Sequence, residues 1–278
     1  MQRWRRYYEC ALHGPCSAAT LLKRVKELPE VNLAKLIKDR PLLIVAPHPD
    51  DESLGCGGLI IKAVELGAKV HIAVVTDGAK SHPGSRTHPR DRLRSLRRGE
   101  TVEAAAVLGV PAGQVSFLDV PDGHAPHSGK GARGIELALA SLARDTAAKM
   151  IFTSWDYDPH PDHVATSKYA GMAAQELGVP LLSYPVWAWT LPPDILVPNL
   201  RLRGFSLNIE RNMATKRAAV LKHRSQTSSM IADDPSGFML SDEHLKAMIT
   251  AREFFILKPG RAPYVADFDQ EIGGCLNV

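Results

Sequence analysis

The chain has 278 residues, of which 45% are hydrophobic and 23% are charged, a balance typical of a globular protein with a core of useful size. Its formal net charge is +4, and part of the excess lies in a basic run at residues 90–98. No aromatic residue interleaves this run, which argues against a nucleic-acid partner and leaves a solvated face or attraction of an anionic substrate. No uncharged apolar run approaches the ~18 residues that a membrane-spanning helix needs, so the sequence predicts a soluble protein without a transmembrane segment.

The first 40 residues are predicted to form a partly helical leader (residues 1–40) that packs on the main domain (residues 41–278). Helices are expected near residues 20–28 and 31–37, with Pro29 between them. Charged and turn-forming residues interrupt the apolar core that a signal peptide would need. The cysteines have neither CxxC spacing nor the density of a disulfide framework, which predicts reduced thiols and a cytoplasmic location; they are Cys10, Cys16, Cys56 and Cys275.

From residue 41 onward, short apolar runs alternate with longer helical patterns. This alternation indicates a parallel sheet with right-handed crossovers. We therefore expect an α/β fold, a Rossmann-like three-layer sandwich with a mostly parallel central sheet. The predicted strands are residues 42–46, 70–76, 115–118, 149–153 and 179–184, and the predicted helices are residues 54–66, 90–108, 135–146 and 164–177.

Trp187 and Trp189 alternate along what the pattern predicts to be a strand. Core packing of these rings is the first expectation, and stacking of one ring on a sugar face is the alternative. Beyond about residue 200 the pattern loosens; it predicts strands at 205–209 and 253–257 and helices at 212–223 and 242–252.

Two short polar motifs directly follow predicted strands. Residues 46–52 read Ala-Pro-His-Pro-Asp-Asp-Glu, and residues 158–163 read Asp-Pro-His-Pro-Asp-His. Ligands of open α/β sheets bind beyond the carboxyl ends of the strands, so two motifs far apart in the chain can meet in one crevice. The active site is therefore expected at these strand ends.

The side chains of the two motifs have the composition of a catalytic metal site. His48, Asp51 and His163 would supply nitrogen and carboxylate ligands and leave one coordination position open, as metal-assisted hydrolysis requires. Asp50 and His160 would remain for proton transfer and charge stabilisation. Taken singly, a His-Pro pair is an ordinary loop feature and an Asp-Asp pair an ordinary helix N-cap. The occurrence of both motifs at strand ends favours the metal site.

Weaker signals lie near the motifs. Glu52 is expected to cap the following helix, with a role in holding another side chain as the alternative. The cluster of Gly55, Gly57 and Gly58 has the wrong spacing for a dinucleotide-binding loop. Four loop histidines have open roles, because most such residues are merely solvated; they are His82, His88, His124 and His127.

The paired motifs resemble those of the PIG-L/LmbE-like superfamily of zinc-dependent N-acetylglucosamine deacetylases. The resemblance covers roughly residues 41–230 and extends to three further short motifs, Arg97-x-x-Glu100, Asp122-Gly123 and His223-x-Ser225-Gln226. One departure is Pro47, where many members have Ala before the histidine; it affects backbone geometry and not ligand chemistry. The leader has no counterpart in the superfamily that we identify.

The resemblance implies a role for each matching position in the two motifs. His48, Asp51 and His163 would bind one zinc ion per chain, or another divalent ion. Asp50 would be the general base. His160 would stabilise the oxyanion as an imidazolium and later protonate the departing amine.

Three more residues receive roles from the same resemblance. Asp162 would orient His160 and raise its pKa. Arg97 would contact the substrate, with a surface or helix-pairing role as the alternative. Asp122 would help to shape the sugar site, with ordinary turn chemistry as the alternative.

The expected function is that of a metal-dependent hydrolase that removes an N-acetyl or other N-acyl group from an amino sugar, a glycoconjugate or a natural product. The alternatives are a metallo-amidase that acts on a non-sugar amide and a non-catalytic carbohydrate- or nucleotide-binding domain of the same fold. The expected partner is a small molecule, and a homo-oligomer is possible. The motifs describe the reaction centre and leave the substrate open.

Overall fold

The structure, a computed structural model, describes residues 11–258 and 270–276. Its strands are β1 (Ala11–Ser17), β2 (Leu42–Ala46), β3 (Val70–Thr76), β4 (Val115–Val120), β5 (Met150–Ser154), β6 (Leu181–Tyr184), β7 (Leu196–Leu200), β8 (Gly204–Asn208) and β9 (Arg252–Leu257). Seven of these strands form a central sheet in the order β4-β3-β2-β5-β6-β9-β8. The first five in that order run parallel, while β9 and β8 are antiparallel to their neighbours.

Helices cover both faces of the sheet: α1 (Ala18–Lys26), α2 (Leu33–Ile37), α3 (Asp51–Glu65), α4 (Arg90–Val107), α5 (Gly129–Asp145), α6 (Pro161–Leu177), α7 (Met213–Val220), α8 (Arg224–Thr227) and α9 (Asp242–Met248). Alternate residues of β2 point to different layers, as the two-residue period of a strand requires. Ile44 and Ala46 pack in the cluster that contains α3, whereas Leu43 and Val45 pack with α5 and α6. The predicted α/β three-layer sandwich is confirmed.

The glycine cluster of α3 serves close packing between the helix and the sheet. A Cβ at Gly55 would lie 2.1 Å from Tyr184 Cδ2, and one at Gly58 would lie 2.5 Å from Ile209 Cγ2. The Tyr184 hydroxyl in turn donates to the Val45 carbonyl oxygen at 3.0 Å. These glycines therefore allow α3 to lie close to Tyr184 at the end of β6 and to Ile209 after β8.

The N-terminal segment packs on the rest of the chain. β1 pairs antiparallel with β7, with Ser17 opposite Leu196, in a separate two-stranded sheet. Leu21 and Val25 of α1 pack in a cluster with side chains of β9 and of the turn after β5. The boundary at residue 40 between a leader and a main domain stays a prediction.

The predicted strand through Trp187 and Trp189 is wrong. β6 ends at Tyr184, and residues 187–190 form a short 3-10 helix. Pro185 offers no N–H to a sheet, and the next three N–H groups donate to the Asp158 carboxylate instead of to a strand. Both tryptophan rings pack against the core, as expected.

Other predicted boundaries differ from the structure for local reasons. α6 begins at Pro161, three residues earlier than predicted, because proline suits the first turn of a helix. α3 also begins early, at Asp51, and the helix predicted to end at residue 252 ends at Met248. The sequence pattern does not predict β1 or β7, since proline interrupts both strands.

The described residues bear on two expectations from composition. Cys16, Cys56 and Cys275 are free thiols, as expected, and Cys10 lies outside the described ranges. Within those ranges, no helix combines the length and the apolar character needed to cross a membrane.

Candidate active site

The two polar motifs meet at the centre of the sheet. β2 and β5 are adjacent and parallel, with Val45 opposite Thr153, so both motifs leave the sheet at the same edge. The chain places β3 and β4 on one side of β2, and β5 and β6 on the other. This reversal of strand order is a topological switch point, where the loops diverge and leave a crevice.

The three predicted metal ligands converge on one carboxylate oxygen. Asp51 Oδ2 lies 3.2 Å from His48 Nδ1 and 3.2 Å from His163 Nε2, and all three residues are buried. His163 Nε2 nevertheless forms no hydrogen bond with a described residue, because its approach to Asp51 lacks the geometry of one. A divalent cation would satisfy this buried nitrogen and the facing carboxylate together.

Carboxylates also hold the outer nitrogens of both imidazoles. His163 Nδ1 lies 2.8 Å from Asp158 Oδ2, while His48 Nε2 lies 3.2 Å from Asp162 Oδ2 and 3.3 Å from Asp122 Oδ1. A carboxylate on the outer nitrogen fixes the tautomer and orientation of a metal-binding histidine. His48 Nδ1 and His163 Nε2 are thereby left for a metal, and the residues present fit a zinc-like ion.

Two other sets of side chains could hold a metal, because the potential ligand atoms within each set lie within 4.8 Å of one another. The sets are His48 with His160 and His163, and His48 with Asp122 and Asp162. We favour the set predicted from sequence, because Asp51 contacts both of its histidines. Backbone hydrogen bonds do not distinguish the sets, because Asp122 and Asp162 accept backbone N–H groups and Asp51 Oδ2 accepts the His48 N–H at 2.9 Å.

The charges of the candidate metal-ligand cluster, His48, Asp51 and His163, compensate one another. Burial raises the pKa of Asp51, but His163 and His48 lower it further, and the net shift is downward. Burial lowers the pKa of His163, while Asp51 and Asp158 raise it, to about 9. Protons on the imidazoles thus neutralise the carboxylates, and a divalent cation would replace those protons.

Asp50, the predicted general base, has a strained backbone at the start of α3. Its φ of 136° and ψ of −27° lie where residues other than glycine are rarely found. Arg97 Nη2 donates to its carboxylate at 3.1 Å. Burial raises the pKa of Asp50 to about 7 against the opposing effect of Arg97, and a value near 7 suits a base at neutral pH.

His160 and Asp162 do not form the pair that the sequence predicts. The Asp162 carboxylate accepts the Gly123 N–H at 2.7 Å and faces His48. His160 caps α6 through its ring, because Nδ1 accepts the Asp162 N–H at 3.2 Å. Burial and two neighbouring imidazoles lower the pKa of His160 to about 4. The predicted upward shift of that pKa is therefore wrong.

Arg97 and Asp122, the predicted substrate-binding residues, both line the site and are both engaged by protein. Arg97 is 3% exposed and donates to two backbone carbonyl oxygens, at 2.6 and 2.8 Å, besides the Asp50 carboxylate. Asp122 accepts a backbone N–H from the loop after β3 at 2.9 Å and faces His48. These contacts position Asp50 and His48, and substrate contact by either residue stays a prediction.

Glu52 holds other groups, which was the alternative to a simple capping role. Its carboxylate accepts the Asp50 N–H at 3.1 Å and the Ser53 hydroxyl at 2.8 Å. It also lies 3.1 Å from His223 Nε2. Burial lowers the pKa of His223 and Glu52 raises it, with a net upward shift.

A cavity of about 480 Å³ opens over the metal-ligand cluster. One wall of it is aromatic, because Trp187 and Phe238 contact each other with their ring centroids 5.5 Å apart. Among the lining residues to which the sequence reasoning assigned no role, Gly123, Pro159 and Gln226 belong to recognised motifs. Lys80, Ser81, Thr190 and Phe238 do not.

The wall that carries Phe238 is fastened to the loop after β3. Asp233 accepts two backbone N–H groups and two hydroxyl groups from residues 85–87, at 2.7 to 2.9 Å. Asp234 accepts the Gly84 N–H at 2.7 Å. These contacts fix one side of the cavity to the other without using the residues that line it.

The four loop histidines are not among the cavity-lining residues of the described chain. His82 is buried, with its ring packed on Gly237 and its Nδ1 3.1 Å from the Ser81 hydroxyl. His88 Nδ1 lies 3.0 Å from a neighbouring threonine hydroxyl. These contacts favour structural roles for His82 and His88.

Fold and site together define an open α/β protein with a metal-compatible centre at its switch point. Residues 43–174 match the family described as PIG-L, GlcNAc-PI de-N-acetylase. That segment runs from β2 to α6 and contains both polar motifs. The predicted resemblance is confirmed over these residues.

Named relatives match beyond that segment. A 1D-myo-inositol 2-acetamido-2-deoxy-alpha-D-glucopyranoside deacetylase from Thermomonospora curvata is 27% identical over 285 residues, which cover 82% of this chain and 94% of the relative. A mycothiol S-conjugate amidase from Streptomyces coelicolor is 29% identical over 163 residues, 52% of this chain and 54% of that protein. The solved structure of N,N'-diacetylchitobiose deacetylase from Pyrococcus horikoshii has a TM-score of 0.61 at 22% identity and covers 89% of this chain and 95% of its own; this likeness concerns the fold alone.

Proposed function

We propose that this protein is a metal-dependent hydrolase that removes an N-acetyl or other N-acyl group from an amino sugar or from a conjugate that contains one. The observation that carries the proposal is the His163 Nε2 atom, which is buried without a hydrogen bond to a described residue. It lies 3.2 Å from Asp51, which lines one cavity together with Asp50. The deacetylase from Thermomonospora curvata, similar over 94% of its length, supports the choice of reaction.

The metal is proposed to be zinc, one ion per chain, held by His48, Asp51 and His163. A zinc ion with an open position supplies Lewis-acid polarisation of a carbonyl group and lowers the pKa of a bound water. Asp158 and Asp162 orient the two histidines from their outer nitrogens.

Asp50 is the proposed base that takes a proton from the attacking water. Arg97 Nη2 donates to the Asp50 carboxylate at 3.1 Å. Burial favours the neutral form of Asp50 and Arg97 favours the charged form, and the resulting pKa of Asp50 is about 7. At neutral pH a useful fraction of Asp50 is then ionised and still basic enough to accept a proton.

His160 is the proposed stabiliser of the oxyanion that forms on the amide carbonyl. Its pKa of about 4 makes the ring neutral at neutral pH, and its Nδ1 accepts the Asp162 N–H. The ring proton is therefore on Nε2, the nitrogen left to donate to the substrate. His160 acts as a neutral hydrogen-bond donor in this proposal, in place of the imidazolium that the sequence suggested.

The rest of the cavity suits a sugar. Trp187 and Phe238 offer aromatic faces for the apolar side of a pyranose ring. Asp122, Gln226 and Lys80 supply polar groups around it. The substrate is therefore proposed to be a small N-acetylated sugar or glycoconjugate, and the cytoplasmic location remains a prediction from cysteine usage.

Acetate release from a panel of substrates tests this function. The panel contains N-acetylglucosamine, its inositol and oligosaccharide conjugates, and simple N-acetyl amides, each assayed with zinc-loaded protein. We expect release from amino-sugar conjugates and none from the simple amides. Zinc-loaded protein that releases acetate from no sugar in the panel contradicts the proposal.

The second candidate is an amidase that acts on a non-sugar amide. The relative from Streptomyces coelicolor, named a mycothiol S-conjugate amidase, supports the hydrolysis of an amide bond. The same panel separates the two functions, because a non-sugar amidase would cleave the simple amides and would release acetate no faster from the sugar conjugates.

A further inference from the structure

The backbone of Asp50 has a conformation that surrounding contacts must support. With φ at 136° and ψ at −27°, this residue occupies a conformation that costs free energy for any side chain with a Cβ. It is the N-cap of α3 but makes no side-chain capping hydrogen bond. Such a conformation persists only where surrounding contacts over-determine it.

Glu52 supplies one of those contacts, through the backbone. Its Oε2 accepts the Asp50 N–H at 3.1 Å, so Glu52 holds the main chain of the strained residue while Arg97 holds its carboxylate. The other oxygen, Oε1, accepts the Ser53 hydroxyl at 2.8 Å and lies 3.1 Å from His223 Nε2. Glu52 is 0% exposed, so the orientation of its carboxylate depends on these partners.

His223 comes from a distant part of the chain, between α7 and α8, and is also 0% exposed. Its Nδ1 has no hydrogen-bond partner among the described residues. Its ring therefore meets polar groups only through Nε2, at Glu52 and at the Ser53 hydroxyl, 3.3 Å away. A buried imidazole with one unsatisfied nitrogen is costly, and one of the two polar contacts of this ring is with Glu52, which holds the proposed base.

We propose that Glu52 and His223 are positioning residues for the reaction: His223 orients the Glu52 carboxylate, and Glu52 holds the strained Asp50 backbone so that the Asp50 carboxylate points into the cavity. The proposal rests on the proposed function, in which Asp50 is the base. It assigns to the late His223-x-Ser225-Gln226 motif a task at the reaction centre. Neither residue touches the substrate in this arrangement.

A purely structural role is the competing explanation, and the chain offers a matched control for it. Lys216 Nζ pairs with Glu253 Oε1 at 2.7 Å, and Glu253 accepts the N–H groups of Gly58 and Leu59. This buried pair also ties α7 to α3, but it lies outside the cavity lining. Lys216→Met should therefore lower the Tm without changing kcat.

The test compares His223→Leu with His223→Gln by kcat, KM, metal content and Tm. Leucine removes the donor, and we expect kcat to fall by about 10–100-fold, the usual effect of losing a group behind an active-site residue, with KM and metal content unchanged. Glutamine places an amide N–H near the position of Nε2 and should keep kcat within about threefold of wild type. Equal Tm losses in the two variants with unequal kcat would separate positioning from folding.

Glu52→Met and the double variant complete the test. Because both residues act through one chain of contacts, the double variant should lose no more kcat than the worse single variant. Wild-type kcat in His223→Leu, or losses that simply multiply, would overturn the proposal.

Failure of the proposed function is seen separately, as a wild-type protein that releases no acetate. In that case crystal structures decide. The Asp50 φ should leave the positive region in His223→Leu and keep it in Lys216→Met, and a positive φ retained in both variants overturns the proposal.

Discussion

The two motifs of the candidate metal site are alike in sequence but are held in place in opposite ways. In the second motif, residues 158–163, the contacts go to backbone. Asp158 accepts three N–H groups of the turn after β6, and His160 caps α6 just before Pro161. Main-chain N–H groups, those of the turn after β6 and of the first turn of α6, therefore keep this motif in register.

The first motif, residues 46–52, depends on side chains from distant segments. Arg97 of α4 holds the Asp50 carboxylate, and Glu52, itself held by His223, holds the Asp50 N–H. The motif with the strained backbone is thus the one that is supported by side chains. Substitution of Asp158, which supports the ligand His163, should accordingly affect metal affinity, whereas substitution of Asp50 or of the groups that hold it should affect the rate.

Metal removal acts on what the two motifs share and should have the largest effect. We expect treatment with a chelator to abolish acetate release and added Zn²⁺ to restore it, since the ligands His48, Asp51 and His163 come from both motifs. Elemental analysis should find about one zinc per chain in the active protein. Full turnover by metal-free protein is the opposing result.

Asp50→Asn breaks the first motif alone. We expect kcat to fall by about 10²–10⁴-fold, the usual worth of a general base, while the protein retains its metal. The measurement is kcat alongside zinc content. Asp91→Asn, which removes an exposed carboxylate paired with Arg94 on α4, is the matched control and should keep full activity. Loss of zinc from Asp50→Asn would show that base and ligand have been interchanged.

Asp158→Asn breaks the second motif and should weaken zinc binding about 10–100-fold. The carboxylate that orients His163 Nδ1 at 2.8 Å becomes an amide, which cannot accept from the ring and from three backbone N–H groups at once. Competition with a fluorescent chelator measures the Kd. At saturating zinc, kcat of Asp158→Asn should change far less than kcat of Asp50→Asn. If Asp158→Asn instead lost as much kcat as Asp50→Asn and kept the wild-type Kd for zinc, the two motifs would not differ in the way proposed.

The pH dependence of zinc affinity should be the smallest of these effects, measured per pH unit. The pKa of His163 is raised to about 9, so below pH 9 zinc must displace a proton from this ring. Affinity should therefore fall as pH decreases, by about tenfold per pH unit for each proton released. Calorimetry at pH 6.5, 7.5 and 8.5, in buffers of different ionisation enthalpy, measures the proton count. Affinity that is flat over this range would exclude the protonated cluster.

Sequence reasoning succeeded where a signal is local. Apolar runs identified the parallel strands, and the position of the motifs after β2 and β5 indicated that they would meet. The resemblance then supplied the family. Its assignments for His48, Asp51 and His163 are spatially coherent, since one carboxylate oxygen of Asp51 lies 3.2 Å from both histidines.

It failed where contacts cross the chain. Nearness in sequence suggested that Asp162 serves His160, but the carboxylate faces His48 instead. The strand expected at Trp187 is replaced by a turn because Asp158, about 30 residues earlier, takes its N–H groups. No pattern of spacing contains the contact of Glu52 with His223, which depends on how α7 and α8 return to the sheet.

The fastening of residues 85–87 by Asp233 has a consequence for how this protein can diversify. These contacts are made with main-chain N–H groups and small hydroxyls. None of them involves the side chain of Phe238, which follows Asp233 in the same loop. Substitutions at that position can redraw the substrate wall while the loop stays attached. Substrate selectivity can therefore change, in evolution or in a directed library, without changes in the proposed catalytic residues Asp50 and His160.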